Sequence, residues 1–371
     1  MKGISLLGAA AAAAPLIASV SAVDSAATTN GPIPVGAAKA AIDAMNDRYY
    51  NATDGRWNTQ GAWWLTGIAL QTVIDYMLLT SSHEYLEQVQ HTIELQKGPL
   101  EWWPEGGGLF RADSTDDTGW WALAMVSLFD LTGETEYLDI ARLDEAYMYD
   151  YWIEERCGGG LIWDIPSLGY KSAISNEQYV KLTASLHNRI PGDDKYLKKA
   201  VQAWEWFRDS GMINGESLVN DGLAEEEGGA CSNNGQTTWT YNQGVILGGL
   251  VELHRATGDD EYLEEARRIA DAVLASEELS PGGILTEPCD AEEGCSGDAA
   301  AFKGIFVRSL AELDGELEEG QYGEYLVKNA GSAWRNARND EDMYSVNWAG
   351  PFDEATVGSQ ASAVSLLLRY N

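Results

Sequence analysis

The sequence predicts an all-α fold, an (α/α)6 barrel of six inner and six outer helices. The first observation is a repeat. An acid or a lysine followed by Tyr-Leu recurs around Tyr85, Tyr137, Tyr196, Tyr262 and Tyr325. Such a long internal period indicates a repeated supersecondary unit. The second observation is that the helical stretches before each repeat are apolar nearly all round, whereas those after it have one apolar face. The third is that one helical stretch remains at each end of the chain.

Each unit is predicted to be an inner helix, a short turn and an outer helix, because an all-round apolar helix is buried and a one-sided helix faces water. The turns, such as Leu131-Thr132-Gly133-Glu134, contain a glycine that ends one helix and a residue that caps the next. Five inner helices are predicted near residues 60–79, 116–131, 172–188, 240–255 and 300–313. Residues 36–50 (outer) and 355–370 (inner) complete a sixth pair, which favours a closed ring over an open helical solenoid.

The N-terminus has the pattern of a secretory signal peptide. Lys2 is followed by an apolar run from Ile4 to Val20 and by Ser21-Ala22, which predicts cleavage after Ala22. We therefore expect a signal peptide at residues 1–22, a single domain at residues 23–371, and a secreted, extracellular protein. No later stretch is long enough to span a bilayer, and the last six residues are too short for a lipid-anchor signal.

Four cysteines suit an oxidising compartment. Cys289 and Cys295 are close in sequence and are expected to form a local disulfide, which leaves Cys157 to pair with Cys231. Since four cysteines allow three pairings, this connectivity is a hypothesis. No CxxC or nearby histidine completes a zinc site, so we expect no metal and no cofactor, although calcium at an acidic loop stays open. Asn51-Ala52-Thr53 is a glycosylation sequon.

Charge and aromatic content narrow the class of ligand. The chain has 24 Lys+Arg and 58 Asp+Glu, a net charge of −34. This excludes nucleic acid and anionic membranes as partners, because phosphate contacts need Lys and Arg. The 14 Trp and 17 Tyr greatly outnumber the 6 Phe. Aromatic rings with a polar group suit a neutral polar ligand such as a sugar, and simple core filling is the alternative.

Long connections lead from outer to inner helices, well beyond the usual length, and are therefore functional candidates. All of them are expected at one end of the barrel, beside the N-termini of the inner helices. This end is called the mouth below. Aromatic residues there offer flat apolar platforms for sugar rings. The candidates in or beside these loops are Trp64, Trp102, Trp103, Trp163 and Trp239.

Asp116 and Asp117 stand side by side at the start of the second inner helix. Helix capping explains one such acid, but it does not explain two acids followed closely by Trp120-Trp121. Two carboxyl groups are the minimum equipment for glycoside hydrolysis, and a separation of about 5–5.5 Å suits a retaining mechanism. Repulsion between neighbouring carboxylates also separates their pKa values, so that one can be ionised while the other is protonated.

Further polar side chains are placed at the starts of the inner helices. They are candidates for substrate contacts, and capping or a buried network is the alternative for each. This set consists of Asn176, Glu177, Tyr241, Asn242, Gln243, Asp298 and Lys303. The four histidines lie away from the mouth, so a Ser-His-Asp triad is not expected.

Several segments resemble glycoside hydrolase family 76, the α-1,6-mannanases. They are Asp116–Ala124 (Asp-Asp-x-x-Trp-Trp-Ala-Leu-Ala), Tyr170–Glu177, Thr240–Gly244, Gly297–Arg308, Trp63-Trp64 and Ile74–Tyr76. The resemblance implies an (α/α)6 barrel and an endo-acting hydrolase of α-1,6-mannan. It also implies that Asp116 is the nucleophile and Asp117 the general acid/base. We expect a monomer acting on mannan polysaccharide or oligosaccharide.

Two other functions remain open at this point. One is a cell-wall transglycosylase of the same fold, which product analysis with an added acceptor sugar would reveal. The other is a non-catalytic mannan-binding wall protein, which would keep the aromatic residues without needing both acids. Other (α/α)6 enzymes are possible on fold alone, but a lyase for acidic polymers would need a basic groove. The residues alone do not distinguish endo from exo action.

Overall fold

A computed structural model describes residues 32–58, 61–226, 229–291, 295 and 297–370; the predicted signal peptide at residues 1–22 lies outside them. Twelve α-helices are found in this part of the chain. The inner ones are α2 (Trp64–Thr80), α4 (Thr115–Thr132), α6 (Ala173–Arg189), α8 (Thr240–Thr257), α10 (Phe302–Glu316) and α12 (Val357–Leu367). The outer ones are α1 (Ala37–Tyr49), α3 (Leu86–Gln96), α5 (Thr135–Tyr149), α7 (Lys195–Asp209), α9 (Glu261–Ala275) and α11 (Gly323–Asn336).

The inner helices form a closed ring. Each packs against the next in the order α2, α4, α6, α8, α10 and α12, and α12 packs against α2. Helix α1 packs against α12, so the first and last helices form the sixth pair. This confirms the predicted (α/α)6 barrel and excludes the open solenoid. The predicted boundaries are a few residues off in places, since α2 begins at Trp64 and α10 at Phe302.

Burial explains why the two rings differ. In α2 every residue from Trp64 to Met77 is buried, as expected for an apolar helix inside a barrel. In α9 only a stripe that includes Leu263, Ile269 and Val273 is buried. Close packing of the inner ring also needs small residues: a Cβ at Gly244 of α8 would lie 2.5 Å from Cα of Phe306 in α10. None of the described helices is long and apolar enough to cross a bilayer.

The two ends of the barrel differ in their connections. At one end, short turns join inner to outer helices. Gly133 and Gly258 end α4 and α8 in the left-handed conformation, each with φ 72°, where a residue with a Cβ is disfavoured. This is called the turn end below. The long connections are at the mouth, and one of them contains a short antiparallel ribbon, β1 (Leu223–Glu225) and β2 (Cys231–Asn233).

Two disulfides fasten the loops at the mouth. Cys157 is bonded to Cys231, which joins the α5–α6 connection to the ribbon. Cys289 is bonded to Cys295 within the α9–α10 connection. Both bonds confirm the predicted pairing.

Charged side chains meet inside the turn end of the barrel. Arg189 donates to Asp130 at 2.6 Å and to Glu252 at 3.1 Å. Arg308 lies 2.6 Å from Asp75. Five different inner helices provide these five groups, so the ion pairs connect neighbouring helices of the ring at this end of the barrel.

Candidate active site

Asp116 and Asp117 lie in the first turn of α4, at the mouth. The residue before them fixes that turn: the backbone N–H of Thr115 donates to the carbonyl of Trp163 at 3.1 Å, and its hydroxyl donates to the carbonyl of Ile162 at 2.7 Å. Ser114 precedes the helix in extended conformation without a side-chain cap. Both aspartates are partly exposed. The start of α4 is thus held by the α5–α6 connection, with two carboxyl groups facing the cleft.

The environment raises the pKa of both acids. Burial among protein atoms is the main cause for Asp116 and brings its pKa to about 6, partly opposed by hydrogen bonds that include the hydroxyl of Ser114. Asp117 has a pKa well above its usual range, because of burial first and then the negative charges of Asp116, Asp113 and Asp298. Because the two groups interact, they titrate as a pair. The pair favours one ionised and one protonated carboxyl group, as acid/base chemistry requires.

Four aromatic rings from the first two turns of four inner helices form the floor of the mouth. Trp64 stacks on Trp120 with ring centroids 5.6 Å apart. Trp120 stacks on Tyr241 at 6.4 Å, and Tyr241 on Phe302 at 3.8 Å. We call these four rings the aromatic floor. Trp120 lies one turn along α4 from the two acids, so the floor is beside them. Trp64, Trp120 and Phe302 are buried and Tyr241 is partly exposed, and exposed aromatic faces pack well against sugars.

The two acids are associated with opposite sides of α4. The side chain of Trp163 is near Asp116 and lowers its pKa, and the negative charge of Asp116 raises the pKa of Tyr241. Asp117 lines a cavity of about 300 Å³ on the side of α2, together with Arg56, Gly61, Ala62, Trp63 and Trp102. We call this the α2-side cavity. A ligand that spans both acids would therefore extend to both sides of α4.

Several predicted site residues lie around the aromatic floor. The indole of Trp64 donates to Asp298 at 2.8 Å. Tyr241 belongs to the floor, and Trp239 packs edge-on against Phe302 with centroids 5.6 Å apart. Trp102 and Trp163 are among the most exposed large side chains, at 49% and 39%. All of these can reach a ligand in the mouth.

Glu177 and Asn242 are buried with unpaired polar atoms. Neither carboxyl oxygen of Glu177 and neither side-chain polar atom of Asn242 has a hydrogen-bond partner in the described part of the chain by strict geometry. Burial raises the pKa of Glu177 well above its usual value, and a weaker interaction with Asn242 opposes the shift. Buried polar groups are normally paired, so these two are suited to a ligand or to ordered water.

Four other predicted residues are already engaged by the protein. The amide of Asn176 bonds the backbone of Leu161 and Ser172, that of Gln243 bonds the backbone of Val219 and Trp239, and the indole of Trp103 bonds the hydroxyl of Tyr147. Lys303 is fully buried, bonds Asp290 at 2.7 Å and the carbonyl of Val346, and lies 5.0 Å from the ring centroid of Trp348. These contacts occupy the polar groups of the four side chains, which therefore anchor the mouth loops.

Residues missed by the sequence analysis also reach the mouth. Asp221, from the loop before β1, accepts a hydrogen bond from the hydroxyl of Tyr170 and acts electrostatically on Tyr241 and Glu177. Arg56 comes from the loop before α2. Neither lies in a repeated motif or a regular helix, so no sequence signal placed them beside the acids.

No cofactor site is evident among the residues the structure describes. The only close group of three potential metal ligands found there is Cys289, Asp290 and Cys295. Both cysteines are joined to each other, and the carboxylate of Asp290 is paired with Lys303. This group is therefore a poor metal site. Asn51 is exposed, and its glycosylation stays a prediction.

A closed helical barrel with a carboxyl pair above an aromatic floor has the features of a carbohydrate-active protein. A family model described as glycosyl hydrolase family 76 matches residues 35–370. The chain therefore belongs to glycoside hydrolase family 76, as the resemblance in the sequence indicated.

Relatives and solved structures agree with this assignment. A mannan endo-1,6-alpha-mannosidase of Saccharomyces cerevisiae is 25% identical over 347 residues, which covers 88% of this chain and 74% of the relative. One of Candida albicans is 26% identical over 340 residues, covering 86% and 74%. The structure of an alpha-1,6-mannanase from Salegentibacter superposes with a TM-score of 0.80 at 26% identity, covering 90% of this chain and 98% of that one.

A second solved structure of the Salegentibacter enzyme is of an inactive variant in complex with alpha-1,6-mannotriose. In that variant two consecutive aspartates are replaced by asparagine. It superposes on this chain with a TM-score of 0.79 at 25% identity, covering 90% and 98% of the two chains.

Proposed function

We propose that this chain is an endo-acting α-1,6-mannanase that cleaves mannan backbones with retention of anomeric configuration. The observation that carries the proposal is the pair Asp116 and Asp117, with pKa values raised to different degrees, beside the aromatic floor. The names of the family relatives support the substrate. A wall protein that only binds mannan would have no need for two interacting acids with raised pKa values.

The proposed reaction has two displacement steps. In the first, the carboxylate of Asp116 forms a bond to the anomeric carbon while the glycosidic C–O bond breaks, and Asp117 gives its proton to the departing oxygen. In the second, Asp117 takes a proton from water, the water oxygen bonds to the anomeric carbon, and the ester to Asp116 breaks. The roles follow the family pattern. They also fit the charges, because the negative charges of Asp116, Asp113 and Asp298 raise the pKa of Asp117 and favour its protonated form.

The electrostatics of the mouth support a neutral substrate. The negative charges of Asp113, Asp116 and Asp298 are close enough to raise the pKa of Asp117, and the whole chain carries a net charge of −34. An acidic polysaccharide would be repelled, whereas a mannan backbone has no charge to repel. The two disulfides suit an oxidising compartment, so we further propose that the enzyme acts outside the cell.

The test is incubation with linear α-1,6-mannan, following product length by chromatography and the configuration of new reducing ends by proton NMR. We expect a rapid fall in chain length and products that first appear as α-anomers. Release of single mannoses from one end would contradict endo action, and β-anomers would contradict the two-step mechanism. A parallel reaction with an added acceptor sugar tests the transglycosylase alternative, which predicts transfer products in place of reducing ends.

A further inference from the structure

We propose that the α2-side cavity is the leaving-group subsite of this enzyme, and that Arg56 and Trp102 hold the sugar that departs. The inference rests on the proposed function and goes beyond it by assigning a specific side of the cleft to a specific part of the substrate. Arg56 was not a candidate from the sequence. Three observations support the assignment: the sides of α4 on which the two acids lie, the size and aromatic lining of the cavity, and the hydrogen-bond donors of Arg56 that remain for a ligand.

The direction follows from the two acids. In a retaining mechanism the general acid contacts the glycosidic oxygen, so the departing sugar lies beyond that acid, and the nucleophile faces the sugar that is retained. Asp117 lines the α2-side cavity. Asp116 instead lies near the side chain of Trp163, which belongs to the connection between α5 and α6. The departing sugar is therefore directed toward α2, and the retained sugar toward Trp163 and Tyr241.

The cavity has a built aromatic wall. Phe110 stacks on Trp121 with centroids 4.5 Å apart, Trp121 on Trp63 at 4.8 Å, and the exposed ring of Trp102 meets Trp63 edge-on at 6.0 Å. The indole of Trp63 is itself fixed, because it donates to Gln96 at 2.8 Å. Trp102 is thus the exposed end of a continuous aromatic cluster that begins in the core. A volume of about 300 Å³ is at the lower end of the range for small-ligand sites, as expected for one sugar ring.

Arg56 supplies the polar contacts of the cavity. Its backbone is held by two hydrogen bonds: its N–H donates to Asp54 at 3.1 Å, and its carbonyl accepts from Asn51 at 2.8 Å. One Nη donates to the carbonyl of Gly61 at 3.1 Å. No carboxylate of the described chain lies within ion-pair distance of its guanidinium, and its Nε has no partner there. The remaining donors, in their fixed planar arrangement, are available to the hydroxyl groups of a neutral sugar.

The experiment measures the activity of the wild-type enzyme and of several variants on two substrates. Linear α-1,6-mannan must place a sugar in the leaving-group subsite. An α-1,6-mannobiosyl fluoride fills only the retained side, since its C–F bond breaks to release fluoride. The variants are Arg56→Met, Arg56→Lys and Trp102→Ala. The control is Arg48→Met, at an exposed position in the last turn of α1. Thermal unfolding of each variant verifies the fold.

We expect Arg56→Met and Trp102→Ala each to lower kcat/KM for mannan about 10- to 100-fold, as for the loss of a charged hydrogen bond or a stacking contact. The loss of kcat/KM for the fluoride should be much smaller. The kcat/KM of Arg56→Lys for mannan should lie between those of wild type and Arg56→Met. Equal losses on the two substrates, or no loss on mannan, would overturn the proposal. A wild-type enzyme inactive on both substrates would instead overturn the proposed function itself.

Discussion

The indole nitrogen of Trp64 donates a 2.8 Å hydrogen bond to Oδ1 of Asp298, and this bond connects the first turn of α2 to the short turn before α10. Trp64 is buried, whereas Asp298 is exposed to the mouth. The bond therefore holds an exposed carboxylate in one place, where its charge raises the pKa of Asp117. A residue 234 positions away in the chain from Trp64 thus favours the protonated form of Asp117, the proposed general acid.

This relationship predicts a shift in the pH profile. In the wild-type enzyme, kcat/KM should rise with pH through the pKa of Asp116, about 6, and fall again as Asp117 loses its proton. Asp298→Asn keeps an oxygen for Trp64 but removes the negative charge. Because a like charge raises the pKa of an acid, its removal lowers the pKa of Asp117. The alkaline limb should move to lower pH by about half a unit to one unit, while the acidic limb moves less.

The measurement is kcat/KM on mannan from pH 4 to 9. Glu105→Gln, which removes an exposed negative charge on another mouth loop, serves as the control and should leave both limbs in place. An alkaline limb that moves to higher pH in Asp298→Asn would contradict the electrostatic role of Asp298.

Asp116→Asn and Asp117→Asn should each abolish mannan hydrolysis and at the same time stabilise the protein near neutral pH. The first effect follows from the proposed two-step mechanism, which needs both carboxyl groups. The second follows from linkage: in both cases the folded pKa lies above the ordinary aspartate value of 3.8. Folding then favours the protonated form, so wild-type stability decreases as pH rises above about 3.8. An asparagine does not ionise and escapes this loss.

Thermal unfolding at several pH values tests this second effect. The Tm of each variant should exceed that of wild type at pH 7, and the difference should disappear below about pH 3.8, where both forms are uncharged. A variant that is less stable than wild type at pH 7 would indicate that the acid is a stabilising helix cap. Retained hydrolysis in either variant would exclude the residue from catalysis.

The barrel could be predicted from the sequence because its causes are local and periodic. The apolar faces of α2 and α9 are visible as patterns in the chain, and so are the glycines such as Gly133 that end the helices. The sequence predicts the two acids as candidate catalytic residues because they begin an inner helix. It predicts Lys303 as a substrate contact for the same reason. Its actual partner, Asp290, lies in an irregular loop whose path depends on a disulfide and on tertiary packing.

Arg56 could not be predicted for the same reason. Its neighbours Trp102 and Asp117 come from two other connections, and nothing in the local sequence indicates how three loops fold over one another. The alternation of inner and outer helices, with short turns and long connections between them, determines which end of each inner helix lies at the mouth. The path of the long loops depends on contacts between residues far apart in the chain, and these leave no regular pattern.

The disulfide between Cys157 and Cys231 should stabilise the protein more than the one between Cys289 and Cys295. The first encloses a sequence separation of 74 residues and the second only 6, and in the chain-entropy model a longer closed loop restricts the unfolded state more strongly. Replacing both Cys157 and Cys231 by serine should lower the free energy of unfolding by about 2–5 kcal/mol. The matched double serine variant at Cys289 and Cys295 should lose less.

Urea unfolding of the two double variants supplies the comparison. Mannan hydrolysis should also weaken in the variant without Cys157 and Cys231, because that bond anchors the connection that carries Trp163. An equal loss of stability in both variants would show that strain or packing, and not loop closure, determines the contribution of these bonds.

Arg189 at the turn end should be a major contributor to stability, although it is far from the mouth. It bonds both Asp130 and Glu252, and the side chain of Glu252 is only 6% exposed. Arg189→Met would leave a buried carboxylate with one fewer cation, and removing one partner of a buried pair typically costs about 3–5 kcal/mol. Arg142→Met is the matched control, because Arg142 pairs with Asp139 on the surface, where such pairs contribute at most about 1 kcal/mol. Chemical unfolding at pH 7 measures both, and a loss for Arg189→Met as small as that for Arg142→Met would show that the remaining cations, such as Arg255 beside Glu252, compensate fully.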